Sequence, residues 1–217
     1  MGDVVQLADR RGSRRWEEGP AGMRRPSRPA FLFDLASPYT YLAAERAERL
    51  FADLAWCPAA PEQAGEQSLD LQACLLVQER AAALRLPLIW PERFSAGGRR
   101  AMRVAALAAE HRRAAPFVLA TTRLAFCGGF DVDDPEAIAE AAAAAGLALD
   151  EALAAARDEC RDASMAAQAR IVAAAGADRL PALRVGGRIF CGEERLEEAA
   201  AAWRARRRRP AAPRFIA

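Results

Sequence analysis

A Ser-Pro dipeptide, Ser37 and Pro38, stands where a short apolar run gives way to an Ala-rich amphipathic segment. Serine followed by proline is typical of a helix N-terminus, because the hydroxyl can accept a hydrogen bond from a free backbone N–H and proline fits the first helical position. Such a cap stabilises a helix by about 1 kcal/mol and requires no ligand. The dipeptide therefore predicts that Ser37 caps a helix, and it leaves a hydroxyl at the helix end as a candidate for chemistry.

The other reactive side chains are scattered along the sequence. The single histidine, His111, lies in the charged stretch "AAEHRRAA", where a solvent-facing helix position is expected. Any Ser-His-Asp triad would have to use this residue, and one histidine cannot supply a His-rich metal site, so no metal is predicted. The cysteines are odd in number, far apart and without a C-x-x-C pair, which indicates reduced thiols. They are Cys57, Cys74, Cys127, Cys160 and Cys191.

Composition and charge argue against several classes of protein. The 217 residues are 53% hydrophobic, which suits one large domain or one domain with an insertion. No apolar run reaches the roughly 18 to 20 residues that span a bilayer, and charges stand where a signal peptide has its apolar core. We therefore expect a cytoplasmic protein without membrane contact. The net charge of +2, and Arg clusters that lack interleaved aromatic residues, argue against a nucleic-acid partner.

The pattern of hydrophobic residues divides the chain into three parts. Residues 1–29 are rich in Arg, Pro and Gly without periodicity, which predicts a disordered N-terminal tail. Residues 30–208 form the predicted domain, with a helical insertion at about 68–176. Residues 209–217 form a Pro-containing C-terminal tail.

The predicted domain begins with a β-α-β unit. Residues 30–35 predict a strand, 38–51 a helix and 54–57 a second strand, and the short crossover implies that the two strands are parallel. Helical patterns then continue to Gly176, interrupted before Pro87, at Gly128 and before Pro135, where Asp133 or Asp134 is expected to cap the next helix.

A hairpin and a helix complete the predicted domain. The β-prone runs 182–185 and 188–191 flank Gly186 and Gly187, which predicts a tight hairpin with positive φ at both glycines. A terminal helix follows, with acidic residues in its first turn and arginines at its end, as the helix dipole favours. The order is β-α-β, a helical block, then β-β-α, which predicts an α/β thioredoxin-like fold interrupted by a large helical insertion.

Three segments carry a resemblance to a known family. They are "SPYTY" after the first strand, "LPLIWPERFSAGGRRAMRVAALAA" in the helical block and "LPALRVGGRIFCGEERLEEA" near the end. Together they resemble the DsbA-like superfamily, and more narrowly its branch of 2-hydroxychromene-2-carboxylate isomerases and kappa-class glutathione transferases. The resemblance covers roughly residues 30–203.

The resemblance implies a role for Ser37. In the disulfide oxidoreductases of this superfamily the helix begins with C-x-x-C, whose first thiolate is stabilised by the helix N-terminus. Here Ser37, Pro38, Tyr39 and Thr40 stand in those four positions, so no disulfide can form there. A hydroxyl in that place can donate a hydrogen bond to a bound thiolate, and the resemblance implies that glutathione supplies the thiol, with Pro38 and Tyr39 beside it.

The resemblance implies further contacts. It makes Pro181 a cis proline and assigns the backbone of Leu180 to pairing with the cysteinyl backbone of the bound peptide. It also implies that Glu193 and Glu194 hold the γ-glutamyl end. Four further residues are candidates for lining the substrate pocket: Tyr41, Trp90, Phe94 and Cys191.

These features predict a glutathione-dependent isomerase or transferase in which the thiolate attacks an electrophilic small molecule. The sequence also departs from the isomerase branch, since it contains no lysine and has a short loop, "PAAPEQAGEQS", where that branch has a longer one with a substrate-binding lysine. Two alternatives therefore remain: a noncatalytic binding or dimerisation module, or an oxidoreductase using other thiols such as Cys57 or Cys191. By analogy with relatives that dimerise, a homodimer is an expectation.

Overall fold

The computed structural model of the protein describes residues 28–60, 71–91 and 98–208. The candidate Phe94, residues 1–27 of the predicted N-terminal tail and the whole C-terminal tail lie outside these ranges. The elements in chain order are β1 (Ala30–Phe33), α1 (Pro38–Leu50), β2 (Ala55–Pro58), α2 (Leu71–Ala83), α3 (Arg99–Glu110), α4 (Ala114–Gly128), α5 (Pro135–Ala144), α6 (Leu149–Arg157), α7 (Cys160–Ala174), β3 (Ala182–Val185), β4 (Arg188–Cys191), a 3-10 turn (Glu193–Arg195) and α8 (Leu196–Arg208).

Local signals placed several element ends correctly. The side chain of Asp134 accepts a hydrogen bond of 2.7 Å from the backbone N–H of Glu136, which confirms the predicted cap of α5. Helix α4 ends at Gly128, and the residue that follows, Gly129, has a φ of 77°, which glycine adopts without strain. Both hairpin strands are confirmed, but only Gly186 has a positive φ, 63°, so the prediction for Gly187 is wrong. Positive φ at the first central position alone is the pattern of a type II′ turn.

Several boundaries differ from the predictions, and strand β1, for example, ends at Phe33 rather than at residue 35. The continuous helical pattern after residue 149 is divided into α6 and α7 at Asp158, whose backbone is extended and whose side chain accepts a hydrogen bond from Cys160 N. Helix α2 ends at Ala83, earlier than the sequence pattern suggests. The predicted acidic first turn of the last helix is a separate 3-10 turn, Glu193–Arg195.

The four strands form one sheet in the order β2-β1-β3-β4. Strand β1 pairs in parallel with β2, as the short crossover predicted, and antiparallel with β3, where Leu32 lies opposite Ala182. Strand β4 pairs antiparallel with β3. Because β1 has a neighbour on both sides and helices over both faces, all four of its residues are buried, which explains its uninterrupted apolar sequence.

The side chains of β1 alternate between the two faces of the sheet. Phe31 and Phe33 enter the main core, where Phe31 meets the ring of Trp56 edge-on at 4.9 Å. Leu32 enters a smaller cluster on the opposite face, together with Val172 of α7. The helical insertion therefore covers part of the sheet itself.

A buried arginine holds the helices of the insertion together. Arg103 of α3 donates to both carboxylate oxygens of Asp162 in α7, at 2.8 Å each, and to the carbonyl of Ala156 in α6 at 3.2 Å. A bidentate guanidinium–carboxylate pair fixes orientation as well as distance. This clamp positions α7, which forms one wall of the pocket described below. The architecture confirms the predicted α/β fold with a helical insertion.

Candidate functional site

Ser37 occupies the N-cap position of α1, after a turn that follows β1. Its backbone N–H donates to the carbonyl of Asp34 at 3.2 Å, and its own carbonyl accepts from Thr40 N at 2.9 Å. The Ser37 side chain makes no capping hydrogen bond. The prediction that its hydroxyl caps the helix is therefore wrong in this respect, because a backbone carbonyl takes the Thr40 N–H instead. The hydroxyl remains available at the positive end of α1.

The peptide bond between Leu180 and Pro181 is cis, as the resemblance implied. It lies just before β3, and β3 is the neighbour of β1, so this segment is brought beside the N-terminus of α1. The carbonyl of Pro181 accepts a hydrogen bond of 2.8 Å from Gly192 N, which joins the segment to the end of β4. Among the described residues, the backbone of Leu180 has no hydrogen-bond partner.

A pocket of about 450 Å³ lies between these segments and α7. Five residues with polar side chains line the pocket: Asp34, Ser37, Tyr39, Asp178 and Arg179. Leu180 also lines it. The other lining residues are small or apolar: Ala36, Pro38, Ala169, Val172, Ala173 and Ala177. The structure thus brings together four of the predicted site residues: Ser37, Pro38, Tyr39 and Leu180. Pro181 is adjacent but does not line the pocket.

Asp34 is a pocket residue that the sequence analysis did not identify. It is 6% exposed, and its Oδ1 accepts a hydrogen bond of 2.9 Å from Ala36 N. Burial raises the pKa of the Asp34 carboxyl to about 6, partly offset by the hydrogen bond from Ala36 and by the charge of Arg99. The available signal was an acid at the end of an apolar strand, three residues before Ser37.

The structure does not bring the two predicted glutamates to the pocket. Glu193 is 3% exposed, and its carboxylate pairs with Arg46 of α1 at 2.8 Å and with Arg80 of α2. Glu194 is about half exposed and pairs with Arg179, which does line the pocket. Glu193 therefore joins α1 and α2 to the 3-10 turn, whereas Glu194 reaches the pocket only through Arg179.

The aromatic candidates and Cys191 do not line this pocket either. Tyr41 is buried in the core, where its hydroxyl donates to the carbonyl of Pro87 at 2.7 Å and burial raises its pKa. Trp90 lines a different depression, beside Phe130. Cys191 packs in the small cluster on the α7 face of the sheet.

The remaining reactive residues form no second catalytic constellation among the described residues. His111 is exposed at the end of α3, as predicted. All five cysteines lie within the described ranges and none of them is in a disulfide, and no cluster of metal-binding side chains is present within those ranges. Cys57 and Cys191 lie on the two outer strands. Three strand spacings separate them by about 14 Å, whereas a disulfide requires Cα atoms within about 7 Å.

The sheet order, the helical insertion between β2 and β3, and the pocket at the N-terminus of α1 define the class of protein as thioredoxin-like. The model of the DSBA-like thioredoxin domain family matches residues 30–203. The chain therefore belongs to the DSBA-like thioredoxin domain family.

Solved structures share this fold at low sequence identity. A 2-hydroxychromene-2-carboxylate isomerase superimposes with a TM-score of 0.69 and 19% identity, covering 83% of this chain and 96% of the isomerase. A probable DsbA oxidoreductase from Streptomyces coelicolor gives a TM-score of 0.70 and 22% identity, covering 88% of this chain and 94% of that one. No curated protein matches the sequence.

Across the described parts of the chain, each helix is either too short or too polar to cross a bilayer.

Proposed function

We propose that this protein is a glutathione-dependent isomerase or transferase in which Ser37 stabilises the glutathione thiolate. The observation that carries the proposal is the Ser37 hydroxyl, which makes no capping bond and lines a pocket at the positive end of α1. A thiolate bound there would receive a hydrogen bond from the hydroxyl and a favourable interaction with the helix dipole. No cysteine is among the described residues that line this pocket, so the sulfur would come from the ligand.

The backbone of Leu180 supports binding of a peptide thiol. It lines the same pocket as Ser37 and has no intramolecular hydrogen-bond partner among the described residues. A free backbone N–H and C=O beside a sheet can pair with an extended peptide. We propose that they bind the cysteinyl unit of glutathione and direct its sulfur towards Ser37.

We propose that a charged residue of the pocket and its ion-pair partner bind the ends of the tripeptide. Arg179, which lines the pocket, can bind a carboxylate, and Glu194 beside it can bind the γ-glutamyl ammonium. We do not retain Glu193 in that role, because it is buried and paired with two arginines.

The apolar wall formed by α7 suits an electrophilic substrate. A volume of about 450 Å³ is within the range of small-molecule sites. The thiolate would form a C–S bond with a conjugated double bond while the π electrons move onto the rest of the substrate. Rotation, return of those electrons and loss of the thiolate gives the isomer, whereas uptake of a proton by the adduct gives the thioether of a transferase.

A noncatalytic binding module is the second candidate. The observations that favour it are the absence of lysine and the short loop after β2. Oxidoreductase chemistry through Cys57 and Cys191 is disfavoured by their placement on opposite edges of the sheet.

Calorimetric titration of glutathione at neutral pH, with a reductant present, tests the proposal. We compare the native protein with Ser37→Ala and with the matched control Ser164→Ala, an exposed serine of α7 outside the pocket. A hydrogen bond to a charged partner contributes about 1.5 to 3 kcal/mol, so Ser37→Ala should weaken binding roughly tenfold to a hundredfold. Ser164→Ala should bind as the native protein does. No binding by the native protein at millimolar glutathione would favour the module.

A further inference from the structure

Formation of a thiolate in this pocket requires an acceptor for the thiol proton. A free thiol has a pKa of about 8.5 and is mostly protonated at neutral pH. The hydroxyl of Ser37 can stabilise the thiolate, but a neutral hydroxyl is too weak a base to take the proton. The guanidinium of Arg179 has no acceptor atom, and the phenol of Tyr39 is, like the serine hydroxyl, too weak a base. The carboxylates of Asp34 and Asp178 are therefore the side-chain acceptors among the lining residues.

The two carboxylates differ in their surroundings. The side chain of Asp178 is 68% exposed and pairs with the Arg179 guanidinium at 3.3 Å. Asp34 is 6% exposed, and one of its oxygens accepts from Ala36 N while the other has no hydrogen-bond partner among the described residues. A buried carboxylate with an unpartnered oxygen at a pocket wall gains most from taking up a proton.

We propose that Asp34 accepts the proton that leaves the bound thiol, an inference that rests on the proposed thiol-binding function. The S–H bond breaks, the sulfur keeps its electron pair, and an O–H bond forms on the carboxylate. The pocket carries one negative charge before and after the step. Without this transfer, a thiolate and an ionised Asp34 would place two like charges in one partly buried site.

The charges that face Asp34 from the neighbouring elements are few. Arg99, at the start of α3, favours the ionised form, and its charge is shared with Asp162 at 3.5 Å. The segment before β3 contributes Asp178 and Arg179, which pair with one another.

The helices beside the pocket leave Asp34 in an apolar setting. Helix α7 contributes only apolar lining residues, and α1 contributes the phenol of Tyr39. Burial is the largest influence on Asp34 and raises its pKa to about 6. The carboxyl is therefore ionised at neutral pH but takes up a proton readily when a thiolate forms beside it.

Proton counting tests this inference. Glutathione is titrated calorimetrically in two buffers of different ionisation enthalpy, and thiolate formation is followed by ultraviolet difference absorbance. Asp34→Asn is the test variant, since its side-chain oxygen can still accept from Ala36 N, and Asp178→Asn is the matched control. Thermal melts of both variants verify that they are folded.

In the native protein and in Asp178→Asn we expect thiolate absorbance with almost no net proton release. Asp34→Asn should form the thiolate with release of about one proton, and its affinity should rise about tenfold per pH unit below the thiol pKa. The native affinity should be nearly independent of pH between about 6 and 8.5.

Native thiolate formation with release of about one proton would overturn the role of Asp34 and leave the proposed function intact. Absence of binding, or binding without thiolate absorbance, would overturn both.

Discussion

Replacing Asp34 by Asn should stabilise the folded protein at neutral pH and have little effect near pH 3. Burial raises the carboxyl pKa from 3.8 to about 6, so the folded state binds a proton more tightly than the unfolded state. Between those two values the folded state is protonated and the unfolded state is not, and the free energy of unfolding falls as the pH rises. The loss is complete above about pH 6 and amounts to about 3 kcal/mol.

The neutral amide avoids this cost and keeps the hydrogen bond from Ala36. Asp34→Asn should therefore exceed the native protein by about 2 to 3 kcal/mol in the free energy of unfolding at pH 7, with the difference vanishing below about pH 4. Urea denaturation at stepped pH values measures both curves. Asp178→Asn, an exposed control, should change stability by less than about 0.5 kcal/mol. A destabilisation by Asp34→Asn of equal size at pH 4 and pH 7 would refute the reasoning.

Three other substitutions separate structural from functional roles. Ser37→Ala should change the free energy of unfolding by less than about 0.5 kcal/mol in urea denaturation, because the hydroxyl makes no capping bond. A loss near 1 kcal/mol would show that the hydroxyl does cap α1. Glu193→Ala should lower the free energy of unfolding by about 2 to 4 kcal/mol, because it removes the buried carboxylate that Arg46 and Arg80 share. Glu197→Ala, at an exposed residue that also pairs with Arg46, should lower it by less than about 1 kcal/mol, and equal losses would contradict this. Tyr41→Phe should lower the free energy of unfolding by about 1 kcal/mol, because it removes the hydrogen bond to the Pro87 carbonyl, and should leave the affinity for glutathione unchanged in calorimetry. Weaker binding would show that Tyr41 contributes to the site.

Elements with strong local signals could be predicted from the sequence. The cap of α5 and the hairpin depend on Asp-Pro and Gly-Gly pairs whose backbone preferences act over a few residues. The break at Asp158 could not be predicted, because the helical pattern continues through it. The cap of α1 was predicted from residue preference alone, and a competing backbone bond to the Ser37 carbonyl replaced it.

The site was predictable where chain order determines position. Ser37 follows β1 and Leu180 precedes β3. Because these two strands are neighbours in the sheet, the predicted topology brings the two residues together. Whether Glu193 or Glu194 faces the pocket depends on the directions of their side chains within the 3-10 turn. The local sequence does not determine these directions. The buried state of Asp34 depends on packing between elements that are distant in the chain.

The apparent pKa of the glutathione thiol in the complex, obtained from thiolate absorbance across a pH series, tests the role of Ser37 without relying on affinity. If the hydroxyl and the start of α1 stabilise the thiolate, the apparent pKa should lie at least about 2 below the ordinary value of about 8.5. Ser37→Ala should raise it by about 1 to 2. A bound thiol that titrates as free glutathione does, in the native protein and in the variant alike, would contradict the proposed activation.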